Sequence, residues 1–342
     1  MKIITAIGRL TRSTTQFSHK PALLAALAVV TAVSLWSISS ASQMLDIAGL
    51  RVARVGHTGT QLADGRVLIV GGQNAGGPVM ESEIFDPASR IFSPGAKARD
   101  GRAEHTATLL SDGRVLVTGG RAHDGSLDST EIYDPAKSSF SYGPRLNHAR
   151  AGHTATVLAD GRLLIAGGDD EGTAEIFDPE TQKFDLLEAR LGAPRNYHAA
   201  VLLQNGKVLL AGGLGESGGG KVSAELFDPE ALQFFPTANQ MHIERFRPTL
   251  NLLPDGKLLV IGGDHERTME MFDPDGEYFT AYAHLLNGPS LGALLRSESR
   301  AALLHRTDSE DPQAVRAVEG PAGDLLDRSG YSLVNITGSN IT

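Results

Sequence analysis

Arginine and histidine recur in this chain at a fixed distance from each other. Arg54, Arg102, Arg150 and Arg195 stand three residues before His57, His105, His153 and His198, and Arg245 stands three before Pro248. Gathered round an axis, imidazoles ligate a transition metal and guanidiniums grip an anion through paired hydrogen bonds. A second polar set lies in segments of unequal length: Asp169, Asp170 and Glu171, then Asp264, His265, Glu266 and Arg267. Carboxylates there suit a cation or a sugar, and as charge runs they equally suit solvated loops. Arg247, in the altered stretch "RFRP", is a further candidate for a ligand-binding face. Tyr197 and His198 stand adjacent where one of these repeats opens.

The elements that position these residues are written as a repeat. Glycine pairs fall at 71–72, 119–120, 167–168, 212–213 and 262–263, in steps of 48, 48, 45 and 50 residues. An apolar run precedes each pair ("RVLIV", "RVLVT", "RLLIA", "KVLLA", "KLLVI"), and upstream of each run stands "DG" or, once, "NG". Asp-Gly and Asn-Gly favour a two-residue type I′ hairpin, so the unit begins strand, turn, strand. After a variable loop come "SEIFDP", "TEIYDP", "AEIFDP", "AELFDP" and "MEMFDP", a third strand stopped by proline. Five residues beyond each proline stand Phe92, Phe140, Phe184, Phe234 and Phe279, marking a short fourth strand with one buried aromatic. Four short strands per unit make a propeller blade, and the fold class is all-β.

The glycine pair, the acidic-aromatic third strand and the fourth-strand aromatic resemble kelch repeats. The "R-x-x-H-T-A-T" opening is similar to the galactose oxidase-like kelch family. The resemblance spans about 54–282, with phenylalanine where kelch repeats usually carry tryptophan. Five repeats are clear. A degenerate sixth is expected in 283–318, with "SLGALLRSESRAALLHRT" (290–307) as its first two strands and "QAVRAVEG" (313–320) as its third. "SQMLDIAGLRVAR" (42–54) would supply the missing outer strand. A fragment of a seven-bladed protein is the competing reading. The resemblance also implies that the lead-in to strand one and the loop between strands two and three share one binding face. "PRNYHAA" (194–200) is similar to the family's copper motif, with Tyr197 and His198 at two ligand positions. The cross-linked cysteine of that family has no counterpart, because the chain contains no cysteine. Gly56, Glu104, Gly152 and Phe246 are read as the residues in the slot of Tyr197, so no second tyrosine joins it. No cofactor is expected, and a copper-radical oxidase is excluded.

A residue that recurs in every blade most simply serves the blade, through hydrogen bonds that satisfy buried polar groups. That reading covers the Arg and His series and the matching Glu83, Glu131, Glu175, Glu225 and Glu270. Function then belongs to the unequal loops and altered positions. Residues 1–41 begin basic and continue into the apolar run 22–36 and "SISSA", the layout of a secretory signal. An uncleaved N-terminal membrane anchor is the alternative. The domains expected are this leader, a propeller over 42–318, and a tail or further element over 319–342. The leader holds four basic residues and no acidic one, so the net charge of −9 becomes −13 beyond it. So acidic a chain lacks the footprint for nucleic acid, and membrane contact is expected only through the leader. The function read from the sequence is an exported, periplasmic or extracellular, binding module for protein or glycan. The alternative is a carbohydrate-active enzyme using loop carboxylates.

Overall fold

The computed structural model describes residues 49–215, 218–264 and 268–282, and the backbone of three further strands, Arg300–Arg306, Val315–Pro321 and Tyr331–Val334. The expected leader lies outside the described residues. Five antiparallel sheets follow in chain order, each a meander of four principal strands. Blade one is Val55–Gln61, Val67–Asn74, Glu81–Asp86 and Ile91–Lys97. Blade two is Thr106–Leu109, Val115–Thr118, Thr130–Asp134 and Ser139–Tyr142. Blade three is Thr154–Val157, Leu163–Ala166, Ala174–Asp178 and Lys183–Leu186. Blade four is Ala199–Leu202, Val208–Ala211, Ala224–Asp228 and Gln233–Pro236, and blade five is Thr249–Leu252, Leu258–Ile261, Met269–Asp273 and Tyr278–Tyr282. First strands of successive blades lie side by side, which places them along a common axis.

Each second strand is an unbroken apolar run because both its faces are covered. Leu68, Val70 and Ile84 of blade one pack with Val115, Val117 and Tyr133 of blade two. Leu116 and Ile132, on the other face of blade two, pack with Leu163, Ile165 and Phe177 of blade three. The same alternation joins blades three and four, and four and five. Within each blade an aromatic of strand three meets the fourth-strand phenylalanine, at centroid distances of 4.7–4.9 Å. Phe92, Phe140 and Phe279 are fully buried, whereas Phe184 and Phe234 are half-buried.

The hairpin between strands one and two differs from the expected type I′ turn. The Leu62 N–H donates to the Arg66 carbonyl and the Gly65 N–H to the Leu62 carbonyl, and only Gly65 takes a positive φ, +87°. That is a three-residue loop, a type I turn closed by a left-handed glycine. Asp64 stays right-handed because its Oδ1 accepts the Arg66 N–H at 3.0 Å. All five hairpins share the pattern, with Gly113, Gly161, Gly206 and Gly256 in the glycine position.

The glycine pair has a packing cause. A Cβ on Gly71 would meet the Arg102 carbonyl at 2.3 Å and the His105 ring at 2.5 Å, both from the next blade. Gly119 and Gly167 meet the next blade in the same way, and Gly212 meets Arg245 and Pro248. The second glycine of each pair lies against its own blade's lead-in, as Gly120 does against Ala103 and His105.

Beyond blade five, Arg300–Arg306 pairs on one side with Val315–Pro321 and on the other with Tyr331–Val334, both antiparallel. The first two of these strands fall on the segments expected for strands two and three of a sixth blade. The place beside Arg300–Arg306 expected for 290–295 is taken by Tyr331–Val334. Residues 290–299 lie outside the described residues.

Candidate functional site

The five arginines sit inside the blades. Arg102, Arg150 and Arg245 are 0% exposed, Arg195 is 1% and Arg54 is 6%. Each donates to the carbonyl of the first glycine of its pair and to its blade's glutamate, as Arg150 does to Gly167 (2.6 Å) and Glu175 (2.7 Å). The glutamate also accepts backbone N–H groups of the lead-in: Asn147 and His148 donate to Glu175, and Arg51 and Val52 to Glu83. Each Arg–Glu pair therefore ties lead-in, glycine pair and third strand together, and offers no guanidinium to a ligand. Residues 51–52 bind Glu83 as each later lead-in binds its own glutamate.

The histidines join one blade to the next. Nε2 of His105, His153 and His198 each meets the hydroxyl of the threonine that follows the preceding blade's histidine (Thr58, Thr106 and Thr154) at 2.9 Å. Burial, reinforced by the neighbouring arginine, pushes His105 and His198 down to about 3 and His153 well below its ordinary value. These imidazoles are neutral. Blade five carries Pro248 in place of the histidine, and blade four carries Ala199 in place of the threonine that would meet it. Both halves of one hydrogen bond are missing together, and Pro248 fills the space over Gly212 instead.

The unequal loops divide. Asp169 accepts from the Thr173 N–H and hydroxyl and lies 3.4 Å from Arg150, and Asp264 does the same with Thr268 and Arg245 at 3.6 Å. These two carboxylates close short loops in blades three and five, with blade four between them, and do not meet. Asp170 is exposed, and Glu171 pairs with Arg190 at 2.7 Å. His265 lies outside the described residues.

What does converge is the residue one before each His or Pro: Gly56, Glu104, Gly152, Tyr197 and Arg247, one per blade. All five are left-handed, with φ between +54° and +68°. Arg247, rather than Phe246, therefore shares the slot of Tyr197. The Arg-to-Pro offset of three places it there, and Phe246 is one residue too early. A backbone chain links the slots: each of Glu104, Gly152, Tyr197 and Arg247 donates its N–H to the slot carbonyl of the preceding blade, over 2.6–3.1 Å. The slots and the four histidines line a cleft of about 180 Å3 at the channel mouth. The Tyr197 ring lies over Gly152, where a Cβ would come within 2.8 Å of it. Arg247 stacks on that ring at 4.4 Å, and Phe246 meets the ring edge-on at 5.4 Å. Glu104 pairs with Arg121 at 3.2 Å and lies 3.8 Å from Arg247. Burial, then Glu104, raises the Tyr197 phenol above its ordinary value. Glu104 and Arg121 were not singled out from the sequence. The residue one before each His was the available signal.

A model of the kelch motif matches residues 104–147, from the blade-two slot to the next lead-in. Among solved structures the chain is similar to YjhT, with a TM-score of 0.55 and 16% identity, covering 67% of this chain and 84% of that one. It is also similar to a fungal alcohol oxidase of the AA5 family in complex with copper, with a TM-score of 0.54 and 19% identity, covering 68% of this chain. The fold is a kelch-type β-propeller. No curated protein matches the sequence. The propeller spans 53% of the fungal oxidase, about half of its length. Copper does not fit the mouth of this propeller. His198 already spends Nε2 on Thr154, the Arg247 guanidinium covers Tyr197, and Glu104 is the one carboxylate among the described lining residues.

Proposed function

We propose that this kelch propeller is an exported binding module for protein or glycan that takes its ligand at the channel mouth. One observation carries the reading. The repeated arginines and glutamates of that face are consumed by the scaffold and three of the histidines bond the neighbouring blade, whereas the slot ring changes identity from blade to blade: Gly, Glu, Gly, Tyr, Arg. Glycine is the least strained residue at positive φ. Three blades nevertheless carry side chains there, and these side chains meet. Tyr197 and Phe246 offer aromatic surface. Arg247 and Arg121, each about half exposed, offer hydrogen-bond donors. Export is supported by the order of residues 1–41. With a single carboxylate in the cleft, the paired acids of glycoside hydrolysis have no counterpart among its described residues, which favours binding over that chemistry.

The test uses glycine, which the ring already accepts in blades one and three. The purified chain is screened against a glycan array and as bait for extracellular proteins. Glu104→Gly, Tyr197→Gly and Arg247→Gly should each weaken the recovered interaction without lowering the melting temperature. An interaction that survives all three together refutes the mouth as the site.

A further inference from the structure

A second cleft opens on the same face, nearer the outer edge, between blades one and two. It measures about 750 Å3, within the range of about 300–1,000 Å3 usual for small-molecule sites. Its floor is Asp100, Gly101 and Ser129. On one side the small hairpin of Arg121–Ala122 and Gly125–Ser126 carries His123 and Asp124, and on the other stand Pro78 and Met80. We propose that this cleft binds a neutral oligosaccharide, with Tyr142 as the stacking platform and Asp100 as the acceptor for ring hydroxyls.

Tyr142 is 60% exposed, a large apolar surface left open beside a concavity. Nothing in the blade requires it. The same position of the fourth strand is Pro94, Leu186, Pro236 and Ala281 in the other blades. Its hydroxyl donates to Asp100 Oδ1 at 3.2 Å, and Arg99 stands 5.8 Å over the ring, so the platform is held in place. Asp100 is equally unrepeated, with Val52, His148, Ala193 and Ile243 at its position elsewhere. Its Oδ2 accepts from Ser129 at 3.0 Å and from Arg102 at 3.3 Å, while 31% of the side chain stays exposed. Asp100 holds Arg102 and Ser129 much as Asp169 and Asp264 hold the matching pairs of blades three and five, but it does so from the lead-in and keeps an exposed edge, so it and Tyr142 face one cavity.

Charge selects the ligand class. Among the lining residues Arg99 and Arg145 face Asp100, Asp124 and Asp128, and Arg145 is spent on Asp128 at 2.6 Å. An anion would meet Asp100 and Asp124, and a cation would meet Arg99. A polyhydroxylated neutral ring matches the exposed aromatic on its C–H face and the carboxylate on its hydroxyls. This site is independent of the channel mouth.

Calorimetric titration of the full chain with maltotriose, cellotriose, xylotriose and mannotriose tests the proposal. At least one should bind. Tyr142→Ala and Asp100→Asn should each weaken it by about tenfold or more, and Tyr142→Phe should retain it. Tyr142 is exposed, so its alanine variant should melt with the wild type. The mouth variants Tyr197→Gly and Arg247→Gly should leave this affinity unchanged. Absence of binding by all four sugars at millimolar concentration overturns the proposal, as does affinity indifferent to Tyr142→Ala, or a loss that follows Tyr197→Gly instead.

Discussion

Lowering the pH from 7.5 to 5.0 should destabilise this propeller through its buried imidazoles. His105 and His198 are held down to about 3, by burial first and by Arg102 and Arg195 second; His153 is held well below its ordinary value by burial and then Arg150. In the unfolded chain all three titrate near 6.5. The folded value lies below the unfolded one, so the unfolded state takes the proton first. Stability is therefore full above about pH 7 and falls as the pH drops from about 6.5 toward 3. At pH 5.0 the solution is about 1.5 units below the unfolded pKa, a loss of about 2 kcal/mol for each of His105 and His198 and about 4 kcal/mol for the two, with His153 acting in the same direction. A loss of that size is a large share of the net stability of an ordinary domain, about 5–15 kcal/mol. The hairpin carboxylates Asp64, Asp112 and Asp160 are depressed below the usual range by their Arg66, Arg114 and Arg162 hydrogen bonds, so they lose their contribution only at lower pH. Urea midpoints at the two pH values, for the wild type and for His105→Gln, make the measurement. The variant should start less stable and then lose about 2 kcal/mol less on acidification. Equal losses in the two proteins would refute the assignment.

Three further outcomes follow from the packing. Gly71→Ala drives a Cβ into the Arg102 carbonyl and should cost several kcal/mol, whereas Gly113→Ala, at φ +83° with no described atom within 4 Å, should cost only the φ penalty of about 1 kcal/mol; urea unfolding compares them. Glu225→Gln leaves Arg195 buried without its charge partner and should cost about 3–5 kcal/mol by the same assay. Ala199→Thr combined with Pro248→His should rebuild the missing interblade hydrogen bond, and a double-mutant cycle should give favourable coupling of about 0.5–1.5 kcal/mol.

The blade was legible because its physics repeats. Each glycine pair, Arg-x-x-His and aromatic third strand answers the same contact with the neighbouring blade, so five copies reinforce one reading. The turn type was not legible, because Asp-Gly suits more than one hairpin and the Asp64 to Arg66 hydrogen bond decides between them. The slot of blade five was misplaced by one residue because the histidine that marks it is Pro248. The cleft around Tyr142 had no local signature, since Asp100 and Tyr142 are 42 residues apart and meet only when blade two folds. The arginine series, which the sequence left open to a ligand while favouring the scaffold, is consumed by the blades, a fact fixed by burial rather than by spacing.

The chain of main-chain hydrogen bonds through Gly56, Glu104, Gly152, Tyr197 and Arg247 has a consequence for how such a surface diversifies. The seam between blades at the mouth is held by peptide groups, which every residue other than proline supplies. The letters displayed there can be exchanged while the seam stays closed, limited by tolerance of a left-handed backbone and, at Gly152, by the Tyr197 ring that lies over it. The rim is a socket with five interchangeable teeth. A lineage, or an engineer, can respecify it tooth by tooth without reopening the packing beneath.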